Sequence, residues 1–270
     1  MAASPISLKT LAEGICNRVA DAETCQISSW RKRLGSYSWR GSSAEETLDL
    51  LRRIESPMKP IFRSIYDQKA LVKKDYTALS AFAGSVFSWG GVTNVNAKRA
   101  ENGSLVESVI QAALFWDVSD LSAPMNSGWT KVGAIATEFR EQHGGIPQII
   151  FDSRVSASLL SRVEQVLVDT GVKSGESPYE HLPTELRALG YVPGRGGSRR
   201  QKNGTREFQL KWMNRYRRWD AQFSASRLVD SIKNHLNSNP GSHDRMPFSN
   251  FDDRRWSARG VEMVLFMDGY

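Results

Sequence analysis

Apolar residues along this chain recur every three to four positions, the spacing that gathers them on one face of a helix, and alternation long enough to build strands is scarce. Leu8, Leu11, Ile15 and Val19 open the pattern. Ser43 followed by Glu46 reads as a capping box ahead of a helix carrying Leu48, Leu51 and Ile54, with Pro57 beyond its end. Asp75 is placed to cap a helix whose Tyr76, Leu79, Phe82, Ala83 and Val86 share a face, and Gly90 and Gly91 stop it. Asn102, Gly103 and Ser104 introduce a helix from Leu105 to Trp116, and SASLLSRVEQVLVDTG sets Val155, Leu159, Val163 and Val166 on one side before Gly171. From Arg206, the row Phe208, Trp212, Tyr216, Trp219 and Phe223 predicts a further helix with its aromatics in the core. The terminal RGVEMVLFMDGY predicts a buried helix ending at Gly269. The expected class is all-α.

A Gly/Ser/Pro-rich stretch interrupts this pattern from Lys173 to about Gly204, with a short helical piece around His181 to Leu189. A single helical domain over 1–270 is expected, with a basic flexible arm at about 173–206. A hydrophobic fraction of 40% over 270 residues is enough for a sizeable core. No run approaches eighteen apolar residues, and Lys9 and Glu13 interrupt the amino-terminal segment. Neither a membrane span nor a signal peptide is therefore expected, and the cytoplasm is the default.

Charge narrows the partners. The chain carries a formal +7 with a sequence pI of about 9.5, which suggests a polyanion. Nine Lys or Arg residues against Glu207 alone fall between Arg195 and Arg218. In that run Arg195, Arg199, Arg200 and Lys202 are candidate phosphate contacts, on an arm that closes over a nucleic-acid backbone. A second patch, SWRKRLGSYSWR at 29–40, interleaves Trp30, Tyr37 and Trp39 with Arg31, Lys32, Arg33 and Arg40, and its rings are candidates for stacking on unpaired bases. Cys16 and Cys25 lack metal or disulfide spacing and read as reduced structural thiols. The four histidines are scattered, and no phosphate loop, HExxH or GxSxG is present. No metal or cofactor is expected.

One segment can carry chemistry. In MNSGWTK, the turn-favouring Asn126, Ser127 and Gly128 precede a helix predicted from Thr130 to about Gln142, whose unpaired first N–H groups can hold a phosphate. HGG breaks that helix, and IPQIIF returns the chain to Asp152. A helix of this length travels about 20 Å, and an extended return of seven or eight residues covers about the same distance. Lys131 and Asp152 can therefore meet. Each also has an ordinary reading, Lys131 as a solvated lysine and Asp152 as a helix N-cap worth about 1 kcal/mol.

Trp129-Thr130-Lys131-Val132, followed by Ile150-Phe151-Asp152-Ser153-Arg154-Val155, resembles the Gly-Thr-Lys-Val and Val-Asp segments of helix-hairpin-helix DNA glycosylases, the 8-oxoguanine branch in particular. FSWGGVTNVNAKR at 87–99 is similar to that family's helix and Asn-containing loop. The similarity spans about residues 76–170. The usual Leu-Pro-Gly-Val-Gly hairpin is replaced by Met125-Asn126-Ser127-Gly128-Trp129, and no counterpart of the eukaryotic enzymes' β-domain is present.

The resemblance implies a helix-hairpin-helix fold with two helical subdomains flanking a cleft. It also implies excision of a damaged or modified base from double-stranded DNA, as in a compact bacterial or phage-defence relative. Lys131 would attack the sugar carbon as a neutral amine and form a Schiff base that supports lyase activity, and Asp152 would stabilise developing positive charge. Asn94, with Val92 or Thr93, would fill the gap left by the extruded base. Asn126, Ser127, Gly128, Thr130 and Arg154 would contact DNA. The excised base is left open between oxidised guanine and a hypermodified phage base. Two alternatives stand beside this reading: a non-catalytic DNA- or RNA-binding protein using the same basic surface, and a toxin or adaptor whose basic segment meets an acidic protein.

Overall fold

The computed structural model describes residues 5–17, 29–92, 98–118, 122–191, 208–212, 218–238, 246 and 255–269. Helix accounts for 69% of it, and no strand occurs among the described residues, so the architecture is all-α. Among the described residues, the helices with both ends defined are, in chain order, α1 (Leu8–Cys16), α2 (Trp30–Gly35), α3 (Ala44–Glu55), α4 (Lys59–Tyr66), α5 (Lys73–Gly90), α6 (Gly103–Phe115), α7 (Trp129–Ala136), α8 (Ser153–Asp169), α9 (Trp219–Ser238) and α10 (Ala258–Asp268). Tighter 3-10 turns occupy Ser56–Met58, Glu138–His143, Pro178–Glu180 and Thr184–Tyr191. Among the described residues, no helix is long and apolar enough to cross a membrane.

Local chemistry explains most of the boundaries. Ser7, Ser29, Asn102 and Ser257 stand at N-cap positions, and each side-chain oxygen accepts a backbone N–H of the first turn. α5 starts earlier than Asp75 suggests. Asp75 lies inside its first turn, where the carboxylate accepts the Val72 N–H at 2.9 Å. Gly91, at φ 67°, ends that helix in the left-handed region that glycine tolerates.

The contacts gather the chain into two compact units. The first comprises Met1–Ala44, Ser153–Tyr216 and Asp220–Tyr270, and the second Glu45–Asp152 with Arg217–Trp219. In the first unit, α8 packs on α10 and α1, and α10 packs on α2. Trp30 meets Trp256 edge to face with ring centroids 6.1 Å apart. Asp268, at the end of α10, accepts from both Arg33 and Arg162. Two guanidiniums thus face the end of a helix whose dipole favours positive charge.

The same contacts correct the expectation for the 29–40 patch. Trp30 and Tyr37 are buried and Arg33 is paired, so these two rings serve the unit's own core, while Trp39 is half-buried against Phe266. A second correction concerns the aromatic row from Phe208. The described residues 208–212 are not helical, and the described helix that carries Trp219 and Phe223 is α9. The reason is tertiary. Glu164 of α8 accepts the backbone N–H groups of Gln209 and Leu210 and the indole N–H of Trp212, each at 2.9 Å. Three donors on one carboxylate hold this stretch open, beside a hollow of about 60 Å³ lined in part by Ser161, Asp169 and Phe208.

In the second unit, α6 lies against α4, α5 and α7. All eight residues of α7 are buried. Gly133 and Ala113 allow the close approach of α7 to α6: a Cβ added at Gly133 would lie 3.1 Å from that of Ala113. The sequence predicted one α-helix as far as Gln142. It ends instead at Ala136, where the Thr137 hydroxyl turns back to the Gly133 carbonyl at 2.9 Å, and the chain tightens into the 3-10 turn before Gly144 at φ 76°.

Glu164→Ala strands three donors and is expected to lower stability by about 3 kcal/mol, read as a reduced denaturant midpoint with a protease-sensitive site near 208–212. Glu164→Gln, which keeps one acceptor oxygen, is expected to lose less.

Candidate functional site

The return from α7 is buried from Gln148 to Asp152 without a sheet to receive its backbone groups, and such groups need partners. Two threonine hydroxyls of α7 and its cap supply them. Thr137 Oγ1 accepts the Gln148 N–H at 2.8 Å. Thr130 Oγ1 accepts the Phe151 N–H at 2.8 Å and donates to the Ile149 carbonyl at 3.3 Å. The Gln148 side chain adds a bond to the Ala113 carbonyl at 3.2 Å. Thr130 and Thr137 are two helical turns apart and so share a face.

This stitching fixes the register of the return against the helix. Lys131 follows Thr130, Asp152 follows Phe151, and the two side chains meet. Nζ lies 3.5 Å from Asp152 Oδ2 and donates to the Ser127 carbonyl at 2.7 Å. Lys131 is only 7% exposed and Asp152 8%. The ordinary reading of Lys131 as a solvated lysine is therefore overturned. Asp152 also stands directly before α8, at the N-cap position.

The environment of the pair is tight. The lysine stem runs beside Gly90, where an added Cβ would lie 2.6 Å from Cδ and 3.0 Å from Cε. Trp129, fully buried, meets Phe87 edge to face at 4.9 Å. A buried ion pair loses solvation on both partners and recovers it only with close, fully bonded geometry. Here the ammonium is nearer a neutral carbonyl than its counter-ion.

The expected phosphate cradle at 126–130 is not formed. Asn126 Oδ1 accepts the N–H groups of Gly128 at 2.8 Å and Trp129 at 3.2 Å. The Thr130 and Lys131 N–H groups bond to the Asn126 and Gly128 carbonyls. Asn126, the Ser127 carbonyl and Gly128 thus build the lysine's surroundings, with Gly128 buried and Ser127 exposed, and the N–H groups of Gly128 to Lys131 are taken up within the turn. Thr130 is 0% exposed, its hydroxyl turned inward to the return segment. Arg154 lies over the rings of Trp39 and Phe266 at 5.2 and 4.8 Å, a cation–π seat within the first unit. Asn94, Arg195, Arg199, Arg200 and Lys202 lie outside the described residues, as do Thr93 and Cys25.

Cys16 is the described thiol, and burial pushes its pKa up to about 12 from 9.0. Its Sγ points to the Ile232 carbonyl at 3.8 Å, and it stays protonated at neutral pH. Among the described residues, no three His, Cys, Asp or Glu side chains converge as a metal site requires. Sequence reasoning missed three contributors to the lysine's setting. These are Gly90, read only as a helix stop, the Ser127 carbonyl, and the Thr130 hydroxyl.

No protein-family model, curated protein or solved structure matches the chain.

Thr130→Val removes a hydroxyl with two buried partners and is expected to cost about 1–3 kcal/mol, with Thr130→Ser restoring most of it in a denaturant titration. In a Cys25→Ser background, Cys16 is expected to resist maleimide at pH 8 until the protein is unfolded. Because the unfolded thiol ionises near 9.0 and the folded one near 12, the Cys16 contribution to stability should decline as pH rises through that window. Cys16→Ala should flatten that decline.

Proposed function

We propose that this protein is a DNA glycosylase of the helix-hairpin-helix kind, which everts a damaged or modified base and excises it with Lys131 as nucleophile. The observation that carries the reading is the buried pairing of Lys131 with Asp152 at 3.5 Å, two residues twenty-one positions apart. The segments holding them are those that resemble the family. Docking on nucleic acid requires no such pair, and a surface role for the lysine is inconsistent with its burial.

The chemistry assigns each group one task. The target nucleotide must leave the stack, because its sugar carbon is unreachable within a duplex. As a neutral amine, Lys131 Nζ forms a bond to C1′ while the bond from C1′ to the base breaks, and the base departs with that electron pair and takes up a proton. Asp152, as a carboxylate, stabilises positive charge on the sugar in the transition state and, once the bond from Nζ to C1′ has formed, accepts a proton from the now cationic nitrogen and passes it to the departing base. Opening of the sugar ring then leaves an imine between Nζ and C1′, which supports strand cleavage.

The basic balance of the chain supports DNA as the partner. Asn94 remains the proposed gap-filling residue, and Arg195, Arg199, Arg200 and Lys202 remain the proposed phosphate contacts. The substrate class is an oxidised guanine or a hypermodified base of the kind phage DNA carries, the latter fitting a role in antiphage defence.

Incubation with duplexes carrying a panel of modified bases, in the presence of borohydride, is expected to trap a covalent protein–DNA adduct. Lys131→Gln should abolish it, and Asp152→Asn should slow base release by about two orders of magnitude or more. Equal trapping by Lys131→Gln would exclude Lys131 as the nucleophile.

A further inference from the structure

We infer that Gly90 and Asn126 are positioning residues that aim the Lys131 amine, one by leaving room for its stem and the other by holding the carbonyl that anchors its head. The inference rests on the proposed role of Lys131 as nucleophile, but its geometry stands apart from that role.

Gly90 is the last residue of α5. The turn that stops this helix is made by Gly91, the one of the two glycines at positive φ. Gly90 has no such backbone need, and a glycine within a helix is less favourable than alanine there. What glycine provides is space. A Cβ at this position would fall 2.6 Å from Lys131 Cδ and 3.0 Å from Cε, both inside van der Waals contact. The path of the lysine stem is therefore the volume that any other residue at position 90 would fill. Because Lys131 is buried, its stem has little freedom to step aside without moving the ammonium.

The head of the lysine is held from the opposite end of its reach. Nζ donates to the Ser127 carbonyl at 2.7 Å, which is closer than Asp152 at 3.5 Å. That carbonyl belongs to a turn closed by Asn126, whose Oδ1 takes the N–H groups of both Gly128 and Trp129. The turn is thereby locked onto the start of α7, and the Ser127 carbonyl is aimed at the lysine one helical turn on. As the neutral amine that the proposed attack requires, Nζ carries two N–H bonds and a lone pair; the Ser127 carbonyl and Asp152 match the two N–H bonds, which leaves the lone pair for an incoming electrophile. Asn126, read from the sequence as a DNA contact, thus acts on the lysine through Ser127.

The experiment compares Gly90→Ala, Asn126→Ala and Asn126→Asp with the native protein in two assays. The first exposes folded protein without DNA to a limiting dose of a water-soluble acetylating reagent and measures Lys131 modification by peptide mass spectrometry, with melting temperature followed in parallel. The second measures borohydride-trapped adduct on abasic-site duplex.

Gly90→Ala should change Lys131 acetylation severalfold while the protein remains folded at the assay temperature, and reduce adduct yield by about tenfold or more. Asn126→Ala should act in the same direction. Asn126→Asp, whose carboxylate accepts both N–H groups, should restore acetylation and adduct. Unchanged Lys131 acetylation in Gly90→Ala and Asn126→Ala would overturn the inference, as would a change that merely follows loss of folding and is not rescued by Asn126→Asp. If the native protein forms no adduct, the glycosylase reading fails, while the acetylation assay still decides whether Gly90 and Asn126 position the lysine.

Discussion

A lysine and an aspartate held together almost wholly out of water, with Nζ 3.5 Å from the carboxylate, are the constraint from which the proposed chemistry follows. Placing both ions in a low-dielectric interior is costly, and the attraction between them offsets that cost only when contact is close and every remaining donor and acceptor is matched. The Lys131–Asp152 pair falls short of that standard, with Nζ at 3.5 Å from the carboxylate and nearer to a backbone carbonyl. A hydrophobic pair of similar volume would serve stability at least as well. The pair is better understood as chemistry that the surrounding fold sustains than as a brace for that fold.

Its support is local and uses neutral groups. Thr130 sits on α7 immediately before the lysine and takes the backbone N–H of the residue immediately before the aspartate. One hydroxyl therefore sets the register of both ionic partners, and Thr137 repeats the device two turns later on Gln148. Gly133 lets α7 seat closely on α6, Gly90 leaves a path for the lysine stem, and Asn126 shapes the turn whose carbonyl meets the ammonium. None of these side chains carries charge, and the acceptors at the lysine Nζ are Asp152 and the Ser127 carbonyl.

Much of the scaffold was legible before any coordinates, because helical spacing, Asn102 as a cap and the glycines at 91, 144 and 171 are local signals. That Lys131 and Asp152 can meet was legible as a matter of reach, although the helix assumed to run to Gln142 ends at Ala136 and gives way to a 3-10 turn. What escaped the sequence depended on groups distant along the chain. The row from Phe208 to Trp212 has helical spacing, yet Glu164 captures three of its donors, and that contact spans more than forty residues. The turn at 126–128 reads as open donors until Asn126 is seen to cap them. Gly90 looks like half of a helix stop, and its role emerges only when the lysine stem is laid beside it.

The central claim is that a single amine, that of Lys131, forms the covalent bond to sugar. Digestion of the borohydride-reduced protein–DNA complex followed by peptide sequencing in a mass spectrometer tests it most directly. The account predicts the deoxyribose remnant on the peptide containing Lys131 and on Nζ of that residue. A remnant on another lysine, or on the amino-terminal amine, would contradict it.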